Sequence, residues 1–358
     1  MIYRAIGTMS GSSMDGLDVA YVVFEEVGGQ WSFHIEQATC IPFPEFWQQQ
    51  LPKLTSLSAP ELFVLHTAFG RWMGEAIQAF IQQHQLEHKV HIIGSHGHTV
   101  FHNPAQLTTF QLGDGAAIAA CTDLPVVSDL RNMDVALGGQ GAPIIPIGEK
   151  WLWKNHRYFA NIGGICNISD HGSDQIIAFD VCPANRVLNA LAQEVGLPFD
   201  NSGTIAETGN IHTELLEALQ GLSYYQQPPP KSLANEFGLH EVLPLLHSFQ
   251  LPIADKMATM VEHIATQVAG CITPSEPSTM VATGGGVHHQ LLQQRLQQKL
   301  SEKQVELIIP DTLTIDYKEA LVMAFIAILR WREEVNVLQS VTGARRSSVG
   351  GALWMGQL

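Results

Sequence analysis

Residues 7–18, Gly-Thr-Met-Ser-Gly-Ser-Ser-Met-Asp-Gly-Leu-Asp, leave the chain few options. They join an apolar run, Tyr3 to Ile6, to a stretch in which Leu17, Val19, Tyr21 and Val23 alternate, which predicts a β-hairpin tip. A tip of glycine, serine and threonine has nothing large to pack. It offers backbone N–H groups and short hydroxyls that can wrap an anion, with glycine allowing positive φ and close approach. Phosphate fits that description, through Gly11, Ser12, Ser13, Met14, Asp15, Gly16, Leu17 and Asp18. The carboxylates of Asp15 and Asp18 beside a phosphate then call for a cation, Mg²⁺ at Asp15, held through water. A plain surface hairpin is the alternative. A P-loop is not, because Leu17-Asp18 stand where Lys-Ser is needed and a strand follows instead of a helix.

The pattern recurs. Residues 158–169 again read strand, small-residue tip (Asn161-Ile-Gly163-Gly164) and strand, with a further strand over 175–179. Two meanders that each open on such a tip imply two related halves, and 358 residues are enough for two domains. Between them, Ser58-Ala-Pro-Glu61 predicts a capped amphipathic helix reaching about His84. The apolar strand 90–94 delivers Ser95-His96-Gly97-His98 at its carboxyl end, and the strand 124–128 delivers Asp129-Leu-Arg131. Residues 132–146 are too glycine-rich for an element and read as a domain crossing or an active-site loop. Asp180 is left at the end of the 175–179 strand, before a helix whose opening turn takes in Pro183. Tyr224-Tyr-Gln-Gln-Pro-Pro-Pro-Lys231 reads as a rigid extended spacer. A strand over 278–282 runs into Gly284-Gly285-Gly286 and a helix, and Asp316-Tyr-Lys-Glu319 is expected to cap a last helix reaching about Val335.

A formal charge of −15 argues against nucleic-acid or anionic-membrane partners. The first strand starts at once, with no basic and apolar leader, and no apolar run is long enough to span a bilayer, so a cytoplasmic protein is expected. Five cysteines without a C-x-x-C pair suit reduced thiols there.

Three glycine turns at strand ends fit a nucleotide, with two hairpins on its phosphates and the third turn at its nucleoside. Asp180 is the candidate general base for phosphoryl transfer, the alternative being a helix N-terminal acid. Arg131 is either a bidentate clamp for a substrate carboxylate or a surface arginine paired with Asp129 or Asp134. Glu319 either faces the cleft or is only the capping-box acid. His96 and His98 lack a Cys or carboxylate at zinc-site spacing and read instead as hydrogen-bonders in a substrate pocket.

Gly7-Thr-x-Ser-Gly-x-Ser-x-Asp-Gly16, Ser95-His-Gly-His-Thr-Val-Phe-His-x-Pro104, Asp134-x-Ala-Leu-Gly-Gly-Gln-Gly-Ala-Pro143, Asn161-Ile-Gly-Gly-Ile-x-Asn167, Gly284-Gly-Gly286 and Ser340-Val-Thr-Gly-Ala344 together resemble the anhydro-N-acetylmuramic acid kinase family, collinearly over nearly the whole chain. The resemblance implies an α/β fold of two RNase H-like (actin/Hsp70/sugar kinase) domains flanking an ATP cleft. The domains are expected over residues 1–130 with 342–358, and over 131–341, the second carrying the nucleoside-binding turn and Asp180. It also implies ATP and Mg²⁺ as cofactors and 1,6-anhydro-N-acetylmuramic acid as substrate. Water would open the anhydro ring while O6 is phosphorylated, giving N-acetylmuramate 6-phosphate and ADP in cell-wall recycling. Asp180 then matches the family's catalytic aspartate, Asn185 its substrate-side asparagine, and a homodimer is the expectation by analogy. The family's Asp-Thr-Gly-Pro-Gly-Asn is here Asp180-Val181-Cys182-Pro183-Ala184-Asn185, which loses a hydroxyl, with a net effect of ~1 kcal/mol, and adds two Cβ atoms. The rival readings are a kinase of the same fold with another sugar acceptor, and a non-catalytic ATP-binding switch.

Overall fold

The computed structural model describes the chain except for Ser12, Ser13, Asp15, Asp174, Pro230, Asn235, Pro274, Ser275, Gln357 and Leu358. Strands β1 (Ile2–Met9), β2 (Gly16–Val27) and β3 (Gln30–Pro42) form an antiparallel meander turned at Gly28 and Gly29, both at positive φ. Their side chains sort by parity. Ile6, Leu17, Val19 and Tyr21 face Phe69, Met73, Ile77 and Phe80 of the helix Ala59–Gln83. Ala5, Ala20, Val22 and Phe24 face the opposite layer, built from the helix Thr312–Trp331. The first of these helices starts as expected, with the Glu61 carboxylate accepting from the Ser58 N–H at 2.9 Å.

β4 (Ile92–Ser95) lies parallel to β1, β5 (His98–Asn103) and β6 (Thr108–Leu112) form a separate ribbon, and β7 (Val126–Ser128) extends the sheet parallel to β4. The C-terminal strand Ala352–Trp354 closes the edge, for an order of Ala352–Trp354, β7, β4, β1, β2, β3. Downstream, β8 (Tyr158–Ile162), β9 (Ile165–Asp170) and β10 (Ile177–Pro183) repeat the meander, with β11 (Ser278–Thr283) and β12 (Val305–Ile308) parallel to β8. The order β10, β9, β8, β11, β12 matches β3, β2, β1, β4, β7 strand for strand. Each sheet therefore has the RNase H-like topology, and the duplication read from the two small-residue tips is a duplication of the whole sheet. β12 was not expected from the sequence. Its core is separate, with Val187, Leu188 and Leu191 meeting Met257, Met260, Val261 and Ile264 of the helix Ile253–Gly270.

The compact units are Met1–Lys154 with Tyr317–Leu358, and Asn155–Asp316. The boundaries expected after residues 130 and 341 therefore lie inside the first unit. The reason is packing: Ile144, Ile147 and Leu152 on one side, and Ala320 to Leu329 on the other, all enter the first unit's core. The span Thr312–Trp331 holds two helices joined at a kink: a short one, with Asp311 accepting from the Thr314 N–H at 3.0 Å, ends where Tyr317 leaves helical φ/ψ, and the long last helix runs on from there, close to its expected start. Residues 132–146 are ordered too, containing the helix Asn132–Ala136. Its Asp134 accepts from the Gly141 N–H (2.8 Å) and the Thr342 hydroxyl (2.7 Å), pinning the glycine loop to the C-terminal motif. No helix among the described residues is long and apolar enough to cross a membrane.

Just past the crossing, Lys318 Nζ meets Glu149 Oε1 at 2.7 Å, and both side chains are 6% exposed. Breaking a buried pair strands one charge in a medium that cannot solvate it. Lys318→Met is expected to cost about 3–5 kcal/mol. Lys318→Met with Glu149→Leu should recover much of that loss, since the stranded carboxylate is gone. Thermal denaturation of the three proteins checks this, and equal melting temperatures for the single and double variants would refute it.

Candidate functional site

In the first unit the carboxyl ends of β1 and β4 lie side by side, with Thr8 in register with Ser95. Both hydroxyls are buried without a protein partner among the described residues, an arrangement that polar interiors rarely tolerate. Beyond them Ser10 Oγ lies 2.9 Å from His98 Nδ1, and burial lowers the pKa of that imidazole. His96 is fully engaged. Its Nε2 accepts from Arg131 Nε at 2.9 Å and its Nδ1 lies 2.9 Å from the Gly97 carbonyl, so neither nitrogen is left for a sugar. Burial, helped by the Arg131 charge, pushes the His96 pKa down to about 3, keeping the ring neutral.

Arg131 pairs directly with neither Asp129 nor Asp134. Its Nε is spent on His96 and its Nη1 donates to the Gly141 carbonyl at 2.6 Å, while Nη2 has no hydrogen-bond partner among the described residues. Burial lowers its pKa to about 10, against the pull of Glu319 and Asp134, so it stays charged at neutral pH. Glu319 lies two residues past the kink at Tyr317, near the start of the long last helix. Burial raises its pKa against the opposing charges of Arg131 and Lys318. His96, which is buried, and Arg131 and Glu319, which are half-buried, thus form one group.

The opening tip is only partly described. Ser12, Ser13 and Asp15, the last being the expected Mg²⁺ ligand, lie outside the described residues. Gly11 accepts from the Met14 N–H at 3.4 Å, and Met14 has positive φ. Gly16 and Leu17 do not belong to an open tip. A Cβ on Gly16 would stand 2.8 Å from Cys40 Sγ, and the Leu17 side chain is completely buried in the core, so the expectation that these residues serve a ligand reduces to their backbone. Asp18 sits one residue further along β2, opposite Met9.

In the second unit the sheet itself collects the polar groups. Asn161 pairs with Asn167, Asn167 with Asp180 and Thr283 with Asn161, so Asp180, Asn167, Asn161 and Thr283 form a row across β10, β9, β8 and β11. Directly opposed residues share a face, and two strand spacings put Asp180 about 10 Å from Asn161. Asp180 is inside β10 and not at a strand end as expected, because β10 runs on to Pro183. The ladder slips between Asp180 and Cys182, a bulge of the kind that redirects a side chain. Burial raises the Asp180 pKa, opposed by hydrogen bonds from Leu233 and Ser232.

The glycines divide into two kinds. Gly284, at φ +83°, and Gly286 are demanded by the fold, since a Cβ would stand 2.6 Å from Asn161 Oδ1 at the first and 2.9 Å from Asn185 Oδ1 at the second. Gly163, Gly164 and Gly285 have room for one, with nothing nearer than 3.5, 3.7 and 3.7 Å. Asn185 joins the two turns, its Nδ2 donating to the Ile162 carbonyl at 3.3 Å and its N–H to the Gly163 carbonyl at 3.0 Å. The structure thus brings together Asn161, Gly163, Gly164, Asn185, Gly284, Gly285 and Gly286. The sequence gives no sign of a role for Asn167, Ser232 or Leu233, and Tyr224 and Lys231 look like the ends of a spacer. No local signal marked them.

The class of this chain, with an RNase H-like sheet opening on a glycine tip in each unit and a carboxylate beside two asparagines in one of them, is that of a phosphotransferase. The family model described as anhydro-N-acetylmuramic acid kinase matches residues 3–356. A protein of that name from Synechococcus elongatus is 34% identical over 95% of this chain and 96% of its own. Another, from Pseudomonas syringae, is 32% identical over 99% and 100%. Component A of the Acidaminococcus fermentans (R)-2-hydroxyglutaryl-CoA dehydratase overlaps with a TM-score of 0.47 at 14% identity, over 91% of this chain and 97% of that one. The chain belongs to the anhydro-N-acetylmuramic acid kinase family.

Proposed function

We propose that this chain uses ATP to convert 1,6-anhydro-N-acetylmuramic acid to N-acetylmuramate 6-phosphate and ADP, in the cytoplasm, during peptidoglycan recycling. The observation that carries the reading is the row of Asp180, Asn167 and Asn161 beside glycines that need no glycine for their own packing. At Gly163, Gly164 and Gly285 a missing side chain gains nothing within the unit. A ligand lying against the backbone supplies the reason, and a nucleotide is the ligand a kinase requires. Asn161, whose amide edges these turns, is its side-chain contact, Asn185 beside it serves the sugar, and the opening tip from Gly11 to Asp18 is a further phosphate contact.

Asp180 acts as the base. It takes a proton from water as the water oxygen bonds to the anomeric carbon, the bond from that carbon to O6 breaks, and O6 receives the γ-phosphoryl group. A carboxylate whose pKa burial has raised is a stronger base than an exposed one, provided it stays ionised at the working pH. Arg131, with its outer guanidinium edge uncommitted, clamps the lactyl carboxylate, and His98 and Glu319 line the sugar side. The described residues contain no cluster of three His, Cys, Asp or Glu side chains able to cage a metal. Mg²⁺ would arrive on the triphosphate with its waters and neutralise phosphate charge, with Asp15 as its expected protein carboxylate.

Incubation with ATP, Mg²⁺ and the anhydro sugar, following both ADP and the sugar's mass, tests the reading. The expected product has gained the elements of water and one phosphoryl group. A phosphorylated sugar with its anhydro ring intact would favour a diverged acceptor specificity, and ADP release indifferent to sugar would overturn the proposal.

A further inference from the structure

We propose that Tyr224 and the residues 231–233 form a strap that positions Asp180, a proposal that rests on the reading of Asp180 as the base. β10 is the edge strand of its sheet, so the outward backbone groups of Asp180 have no neighbouring strand to bond. The bulge immediately after Asp180 also removes the ladder's hold on its orientation from the inner side. What holds it is the strap. The Asp180 N–H donates to the Lys231 carbonyl at 3.1 Å, and the Asp180 carbonyl accepts from the Tyr224 hydroxyl at 2.7 Å. Carboxylate oxygen Oδ2 accepts from the Leu233 N–H at 2.9 Å and from the Ser232 hydroxyl at 3.4 Å. The other oxygen, Oδ1, has no hydrogen-bond partner among the described residues and is the one presented to water.

The strap is itself braced. Lys231 Nζ donates to the Tyr224 carbonyl at 3.1 Å and lies over the Tyr224 ring at 4.5 Å, and Tyr224 packs on Tyr225 and Phe237. Both ends of the strap are thereby tied to each other and to the core before either reaches Asp180. The charge environment is simple. Tyr224, held neutral by burial, is the titratable side chain whose ionisation Asp180 opposes, and the Lys231 ammonium is turned onto the Tyr224 ring and carbonyl. Against the desolvation of the carboxylate, the Ser232 hydroxyl and the Leu233 N–H favour its ionised form.

The test uses the full-length enzyme with ATP, Mg²⁺ and the anhydro sugar. Tyr224→Phe deletes one hydroxyl and should lower kcat about tenfold while KM for ATP moves less than about twofold, the scale of one lost hydrogen bond felt at the reacting group. Ser232→Ala, at an open position where folding is not at issue, should move the acid limb of kcat to higher pH, because it removes a donor that stabilises the carboxylate. A merely structural strap would lower the melting temperature of the Tyr224 variant and leave both the limb and kcat in place, which would overturn the proposal. Unchanged kcat and pH limb in both variants would do the same. Asp180→Asn separates the two layers: if it stays active, the base assignment fails, and if it is inactive while both strap variants behave as wild type, only the strap fails.

Discussion

Asp180→Asn is expected to lower kcat by about 10²–10⁴, the range for losing a positioned general base, while ATP binding is retained. Asparagine keeps the acceptor oxygen that meets the Leu233 N–H and the Ser232 hydroxyl, so the strap has no reason to leave. Stability should stay level or rise. Because burial raises the Asp180 pKa above its value in the unfolded chain, the ionised form is the one the fold disfavours, and that cost is present above the folded pKa and disappears as pH falls. A neutral amide escapes it at every pH. The combination of lost turnover with a melting temperature equal to or above wild type marks a residue retained for chemistry at the expense of stability. In the wild type, kcat should fall on the acid side with a midpoint above the usual aspartate value, since catalysis needs the carboxylate. A variant that keeps a tenth or more of wild-type turnover, or a flat profile down to that usual value, would remove Asp180 from the mechanism.

Much of the fold was legible because burial writes itself into the sequence with a fixed period. The alternation of Leu17, Val19 and Tyr21 is the alternation of one buried face, and Ser58 with Glu61 is a cap whose partners are three residues apart. The parallel between the two tips was also visible, and it proved to be a parallel between whole sheets. What stayed hidden depends on residues far apart in the chain. Tyr224 reaches Asp180 across 44 positions and Lys318 reaches Glu149 across 169, and no local pattern encodes either meeting. The glycine-rich stretch before Pro146 was read as loose because its anchor, Thr342, lies at the other end of the sequence. Composition also misled at the glycines. A glycine that a ligand needs and a glycine that a helix needs look alike until a Cβ is placed on each, and only then do Gly163, Gly164 and Gly285 separate from Gly16, Gly284 and Gly286. His96 shows the same limit, since its role was settled by Arg131, 35 residues away.

Gly7→Ala, in the first position of the opening motif, is expected to damage the fold and not nucleotide binding. Gly7 lies within β1 and faces the helix Thr312–Trp331, and a Cβ there would run into the Ala320 carbonyl oxygen and stand 2.6 Å from the Ala324 nitrogen. Gly94, its register partner on β4, meets the same helix, with a Cβ position 2.7 Å from the Met323 carbonyl carbon. Each obstacle is backbone inside a helix whose own hydrogen bonds hold it in place, so no side chain can rotate away. The helix must lift instead, and lifting it opens the layer in which Leu321, Val322, Met323, Phe325, Ile326 and Ile328 are almost completely buried. One methyl group should therefore cost about 3 kcal/mol or more, at or beyond the upper end of ordinary overpacking. The effect should appear as a large drop in the melting temperature of the first unit's transition, or as insoluble protein, with the second unit's transition little changed. Gly7→Ala combined with Gly94→Ala should cost less than the sum of the two, because a helix already displaced by the first methyl makes room for the second. Strictly additive losses would mean that the two glycines do not share one helix contact, and a Gly7→Ala protein that melts with the wild type would mean that the helix does not rest on the backbone of β1 at all.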